Sequence, residues 1–301
     1  MSGSTVVLAG ATGGLGGRIA KVLRERGARV RALVRRGAAR DKVEGLRALG
    51  VEIAEVDLGD AAQVAAACAG ASCVVSALNG LRDVIVDIQS VLLEAAVRAG
   101  VPRFIPSDYS IDLTKLAPGS NRNLDLRREF HRRLDAAPIA ATTIFTGAFM
   151  ELLTAQMPLI LFKRRLVLYW GNADQRLDFT TIGDTAVFTA MAALDPKTPR
   201  FLRVAGDRVT ARQVAVLMTE LTGTPYQLFR PGGLALLGAI IRIARLAAPA
   251  KNEVFPAWQG MQYMHNMFDG RGVLEPLDND RYPGMRWTTV RDLLAKHLGT
   301  A

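Results

Sequence analysis

Ser4-Thr5-Val6-Val7-Leu8-Ala9-Gly10-Ala11-Thr12-Gly13-Gly14-Leu15-Gly16 decides how this chain folds. Residues 6–9 are a short apolar run of the kind that makes a buried parallel strand. The run breaks into glycines at 10, 13 and 16, and Arg18-Ile19-Ala20-Lys21-Val22-Leu23 follows with apolar residues at helical spacing. A strand that feeds a helix through a glycine turn aims the helix's first N–H groups, and the positive end of its dipole, at an anion. Gly10 serves the tight turn, Gly13 the approach of backbone to a pyrophosphate, and Gly16 the close packing of helix on strand. Thr12, Gly14 and Leu15 complete the expected phosphate loop.

Outward from this turn, strand and helix patterns alternate. Residues 29–34, 51–56, 72–77, 103–106 and 140–145 read as strands, with helices at 41–49, 61–69, 84–99 and 123–136. Such alternation demands right-handed crossovers and a parallel sheet covered on both faces. The expected fold is therefore α/β, a doubly wound (Rossmann) parallel sheet of about seven strands whose ligand sits at the strands' carboxyl ends, where their order reverses. Residues 1–148, with elements returning at 184–222, form the expected dinucleotide-binding domain, and 149–183 and 222–301 a smaller substrate or cap domain. Trp258, Met261, Tyr263, Met264, Met267 and Phe268 read either as an adaptable apolar pocket or as core packing.

The end of the second strand bears on the choice of nucleotide. An acidic residue there accepts the ribose hydroxyl of NAD, but this chain has Leu33-Val34-Arg35-Arg36. A guanidinium binds a 2′-phosphate through paired, charge-assisted hydrogen bonds that a carboxylate would oppose. Arg35, helped by Arg36 or Arg40, therefore points to NADPH, the other reading being solvent-facing arginines. Asp57 and Leu58 after the third strand, and Ala77 and Leu78 after the fourth, are expected to line the adenine and ribose side of the cleft.

Of the 301 residues, 50% are hydrophobic, enough for a sizeable core, and the formal net charge is +10. No helix-turn-helix, zinc-finger or aromatic-interleaved basic element accompanies that charge, so solvated helix faces and a phosphate site are expected rather than nucleic-acid binding. Residues 234–241 run into Arg242 and Arg245, which reads as a buried or interface helix and not a membrane span. The N-terminal apolar run lacks a preceding basic region, so no signal peptide is expected. Cys68 and Cys73 read as small buried groups in a reducing compartment, and the cytoplasm is the expected location. No metal-ligand spacing and no nucleophile elbow is visible.

The glycine loop, Leu33-Val34-Arg35-Arg36, Val56-Asp57-Leu58, Arg103-Phe104-Ile105-Pro106-Ser107-Asp108-Tyr109 and Phe145-Thr146-Gly147-Ala148-Phe149 occur in this order. The set resembles the NmrA-like family of atypical short-chain dehydrogenase/reductases, which includes isoflavone reductase and phenylcoumaran benzylic ether reductase enzymes. The resemblance implies an NADPH-binding fold, with Ser107 and Phe149 added to the cofactor residues, and reduction of a small apolar carbonyl, enone or aromatic molecule. It also includes redox-sensing regulators with little or no catalysis, which is the alternative reading. Related reductases place a lysine near the nicotinamide, and the matching position here is Arg127. No Tyr-x-x-x-Lys occurs. An arginine stays protonated, so Arg127 reads as an electrostatic stabiliser or as a helix-surface charge beside Arg128. Lys115 on the loop after the Pro-Ser-Asp segment, or His131 four residues from Arg127 on the same helix face, is the expected proton source, with Asp108 a further candidate. The expected partner is a small apolar or aromatic substrate, and a homodimer is left open.

Overall fold

The computed structural model describes residues 4–154 and 157–300, which cluster into two compact units. The first comprises residues 1–109, 126–144 and 182–202. Its β1 (Thr5–Ala9) is buried along its whole length, as a strand covered on both faces must be. Around it lie β2 (Arg29–Val34), β3 (Glu52–Glu55), β4 (Cys73–Ser76), β5 (Arg103–Ile105) and β6 (Ala140–Ala141). The sheet order is β3-β2-β1-β4-β5-β6, with every pair parallel. Strand order reverses between β1 and β4, which places the ligand crevice of a doubly wound fold beyond their carboxyl ends.

The connecting helices are α1 (Gly14–Glu25), α2 (Arg40–Ala48), α3 (Ala61–Cys68), α4 (Gln89–Arg98) and α5 (Arg122–Ala136). α3 starts cleanly because the Asp60 carboxylate accepts the N–H groups of Ala62 and Gln63. One core cluster joins Val7 and Ala9 of β1, Val74 and Phe104 of neighbouring strands, and Leu92, Phe130 and Leu134 of α4 and α5. Phe104 and Phe130 meet as tilted rings 6.1 Å apart, worth about 0.5–1.5 kcal/mol beyond their burial. α6 (Ile182–Leu194) packs on α1.

Two features differ from the sequence expectation. The main sheet has six strands where about seven were expected, and the last of them covers only the start of the run 140–145. Thr142 N–H makes the last bond to Phe104 C=O, and Thr143 N–H turns to Arg200 C=O. β7 (Thr143–Phe145) accordingly pairs with β12 (Phe201–Arg203) instead. The helix expected at 84–99 starts as a wide turn, Asp83–Ile88, and becomes α-helical only at Gln89. Gln89 is fully buried, donates to Ile85 C=O and accepts Ser107 N–H.

The second unit comprises residues 110–125, 145–181 and 203–301, and is no smaller than the first. Segments 110–125 and 203–222, expected with the dinucleotide-binding domain, fall here because their buried partners lie here. Asp112 pairs with Arg203 at 2.7 Å, and Asn121 meets Asn266 and Gln259. Its strands are β8 (Ala148–Phe149), β9 (Ile160–Leu161), β10 (Leu166–Trp170), β11 (Leu177–Thr180), β13 (Asp207–Val209) and β14 (Gln227–Gly232). They form two sheets, β14-β10-β9 and β13-β11-β8. Its helices are α7 (Ala211–Thr222), α8 (Leu234–Ala247), α9 (Ala257–Phe268) and α10 (Val290–Leu298). Capping boxes, Thr210 with Gln213 and Thr289 with Asp292, start α7 and α10.

Trp258, Met264, Met267 and Phe268 of α9 are buried, so the aromatic and methionine stripe is core. A strap at 273–275 is tied down by three separate segments. Asp178 accepts Leu274 N–H, Arg208 donates to Leu274 C=O, and Lys115 Nζ donates to the carbonyls of Val273 and Glu275.

Candidate active site

The glycine turn is built as its spacing requires. Gly10 has φ +84°, and a Cβ there would stand 2.5 Å from Ala77 O. At Gly16 a Cβ would lie 2.1 Å from Gly10 O, so helix and turn touch backbone to backbone. Gly13 N–H donates to Gly10 C=O at 3.0 Å and forms the N-cap of α1 with no side-chain bond to the first turn. Gly13 and Gly14 are exposed, Thr12 and Leu15 half-buried, so the amides of the first turn face outward at the positive end of α1.

Arg35, Arg36 and Arg40 are exposed just past β2, and none forms a salt bridge among the described residues. Asp57 is exposed, and its carboxylate accepts Gly59 N–H in the turn before α3. Leu58, Ala77 and Leu78 are half-buried. Ser107 is buried, and its hydroxyl donates to Leu78 C=O at 2.6 Å, tying β5's end to β4's. Phe149 belongs to the second unit, where it pairs with Thr180 in the β8–β11 ladder.

Three of the polar residues singled out in the sequence converge at one point in the first unit. Asp108, at the end of β5, has no exposed surface and receives His131 Nε2 at 2.5 Å on Oδ2. Thr143 Oγ1 donates to the same oxygen at 3.0 Å. Arg127 Nε lies 3.9 Å from Asp108 Oδ1 and donates to Ser107 C=O at 3.1 Å. Arg127 and His131 are four apart on α5, so one helix face presents a guanidinium and an imidazole to one carboxylate. Arg200 completes the network, donating to Thr143 Oγ1 at 2.8 Å and to Asp135 at 2.8 Å.

Burial alone would push the Asp108 carboxyl up. His131, through charge and hydrogen bond, together with Arg127 and Thr143, outweighs burial and holds it below the usual carboxylate range. The site is therefore a buried anion answered by a fixed guanidinium and an imidazole. It can orient that imidazole and concentrate positive charge, which suits it to stabilising an oxyanion and moving a proton. The Tyr109 hydroxyl beside it is buried and its ionisation is pushed up, which unfits it as an acid.

Lys115 does not join this group. It belongs to the second unit and spends its ammonium on the strap carbonyls. Thr143 and Arg200 escaped the sequence reading altogether, since nothing in their neighbourhood marks a hydroxyl or guanidinium as Asp108's support. Cys68 and Cys73 are free and buried, and burial raises their thiols to about 11 and about 12.

Comparison with known proteins gives a consistent picture. Residues 2–278 match the NmrA-like family. Pinoresinol reductase 1 of Arabidopsis thaliana is 27% identical, over 72% of this chain and 74% of its own length. Among solved structures, isoflavone reductase superposes with a TM-score of 0.83 at 20% identity, covering 98% of this chain and 99% of its own. AtPrR2 with NADP+ and (+)pinoresinol superposes with a TM-score of 0.82 at 22% identity, covering 98% of each chain.

Proposed function

Because the chain belongs to the NmrA-like family, we propose that it is an NADPH-dependent reductase of a small apolar carbonyl, enone or aromatic substrate. The observation that carries this reading is the open α1 N-terminus over a glycine turn, with Arg35 exposed past the next strand. The relatives named above are reductases, which supports catalysis over a purely regulatory role. The two buried free thiols support a reducing, cytoplasmic setting.

The residues present fit a phosphorylated dinucleotide. Gly10 and Gly16 leave no Cβ where backbone must pass closely, and the first-turn amides of α1 are donors for a pyrophosphate. Arg35, with Arg36 or Arg40, would hold the 2′-phosphate, and the segments at 57–58 and 77–78 would flank the adenine and ribose. When bound, the dinucleotide supplies a hydride.

The chain's own task is then to stabilise the charge that develops on substrate and to deliver a proton. Arg127 offers a guanidinium held in place by Ser107 C=O and Asp108. His131, oriented by the Asp108 carboxylate, is the group suited to pass a proton through water. Asp108 is a positioning residue, fully buried and acting through these two.

Two outcomes test the assignment. Arg35→Glu is expected to weaken NADPH about ten- to a hundredfold, the loss of one charge-assisted contact, while sparing NADH. Titration of both nucleotides by fluorescence decides it, and equal binding of NADH and NADPH by the native protein would refute the NADPH assignment. NADPH oxidation is then followed across quinones, enones and aromatic ketones. On any active substrate, Arg127→Ala should lower turnover about a hundredfold while NADPH affinity stays. Unchanged turnover would make Arg127 a structural charge only.

A further inference from the structure

A surface helix of a folded unit turns its apolar stripe inward and its polar face outward. α8 breaks that rule. Its inner stripe, Leu237 and Ile241, is buried, and α9 packs against the helix. Its outer side is apolar as well: Leu236 is 48%, Ile243 66% and Leu246 85% exposed. At 3.6 residues per turn, Ala235, Leu236, Ala239, Ile240, Ile243, Leu246 and Ala247 fall within an arc of about 140° that contains no polar side chain. The segments leading into α8 and on to α9 add two exposed aromatic rings, Phe229 and Phe255.

Cations outnumber anions around this face, Glu253 beside Lys251 being the exposed carboxylate next to it. Residues 221–252 contain Arg230, Arg242, Arg245 and Lys251 and not one aspartate or glutamate. Arg230, Arg242 and Lys251 are exposed, and Arg242 borders the apolar arc next to Leu246. Arg245 lies over the Trp258 ring, 5.2 Å from its centroid. With 14 residues α8 is about 21 Å long, too short to span a bilayer, and no helix among the described residues is long and apolar enough to cross one.

We propose that this face docks on an anionic lipid surface, with α8 lying in the plane of the interface. Leu236, Ile243 and Leu246 enter the boundary between headgroups and acyl chains, and Arg230, Arg242 and Lys251 meet the lipid phosphates. An apolar face rimmed by cations is the pattern that binds membranes in this way. A second copy of the chain is the poorer occupant. It would set these four cations against their equals, with Glu253 alone beside them in residues 221–255 to answer them.

The test is co-sedimentation of the full chain with vesicles of phosphatidylglycerol and phosphatidylcholine, against vesicles of phosphatidylcholine alone. The native protein is expected to bind the mixed vesicles, to release with salt, and to leave the zwitterionic ones unbound. Leu236→Glu, Ile243→Glu and Leu246→Glu combined should abolish binding. Arg242→Gln and Lys251→Gln should each weaken it about fivefold. All five positions are on the surface, so the variants should keep the native Tm and nucleotide binding, which are measured alongside. Absent or charge-independent binding overturns the proposal, as does binding that survives the triple substitution. A native dimer that the triple substitution splits, with no vesicle binding, would assign the face to a second copy.

Discussion

Asp108→Ala is expected to destabilise the protein by about 3–5 kcal/mol, because it strips the anion from a buried cluster, leaving the Arg127 guanidinium uncompensated and the His131 ring without its hydrogen-bond partner. In a chain of this size that corresponds to a fall in Tm of roughly 5–8 °C. The cost is high because Asp108 has no exposed surface and Arg127 and His131 are 8% and 6% exposed, so water cannot replace the lost carboxylate. Asp108→Asn keeps the shape and separates charge from packing. The native carboxyl sits below its ordinary value near 3.9. A group held low in the folded state adds stability that is complete above the unfolded value and is lost as pH falls through the folded one. Native stability should therefore drop below about pH 4, and the asparagine variant should show a flatter acid limb. Urea unfolding from pH 3 to 6 decides the matter, and identical acid limbs would mean that Asp108 is no buried anion.

The second large effect is expected at Gly16. An alanine there must put its Cβ 2.1 Å from Gly10 O and 2.9 Å from Ala11 Cα, and both are backbone atoms with nowhere to move. The turn must open. The expected result is a loss of about 1–3 kcal/mol or more, together with loss of dinucleotide binding. Gly14→Ala, in the same loop, is the control. Its Cβ would meet only the flexible tip of Arg18 at 3.6 Å, so nucleotide binding and stability should survive. If both variants bind nucleotide alike, close approach is not what the third glycine provides.

These two sites also show what could be seen in the sequence. The glycine turn is a local device, and its spacing carries both the strand and the helix that flank it. The pairing of Arg127 with His131 was visible as four-residue spacing on one helix, but their shared carboxylate was visible only as one candidate among several. Thr143 and Arg200 were not visible, because Thr143 reaches Asp108, and Arg200 reaches Thr143, across long stretches of chain that share no pattern. The setting of Lys115 was hidden for the same reason. Its partners are backbone carbonyls 158 and 160 residues further on, and a carbonyl has no signature in a sequence. β14 went unseen because Pro231 sits in it, which is tolerable only because β14 is an edge strand.

The strap at 273–275 makes the order of synthesis matter. Segment 110–125 leaves the ribosome early, yet Lys115 finds its carbonyls only at 273 and 275, and Arg203, the partner of Asp112, takes its own N–H to Asp278. At about 5–20 residues per second, that segment waits roughly ten to thirty seconds for the strap that completes its unit. The last element of the first unit ends at residue 202. A nascent chain stalled past that point can hold a finished parallel sheet while 110–125 stays unanchored and within reach of proteases and chaperones.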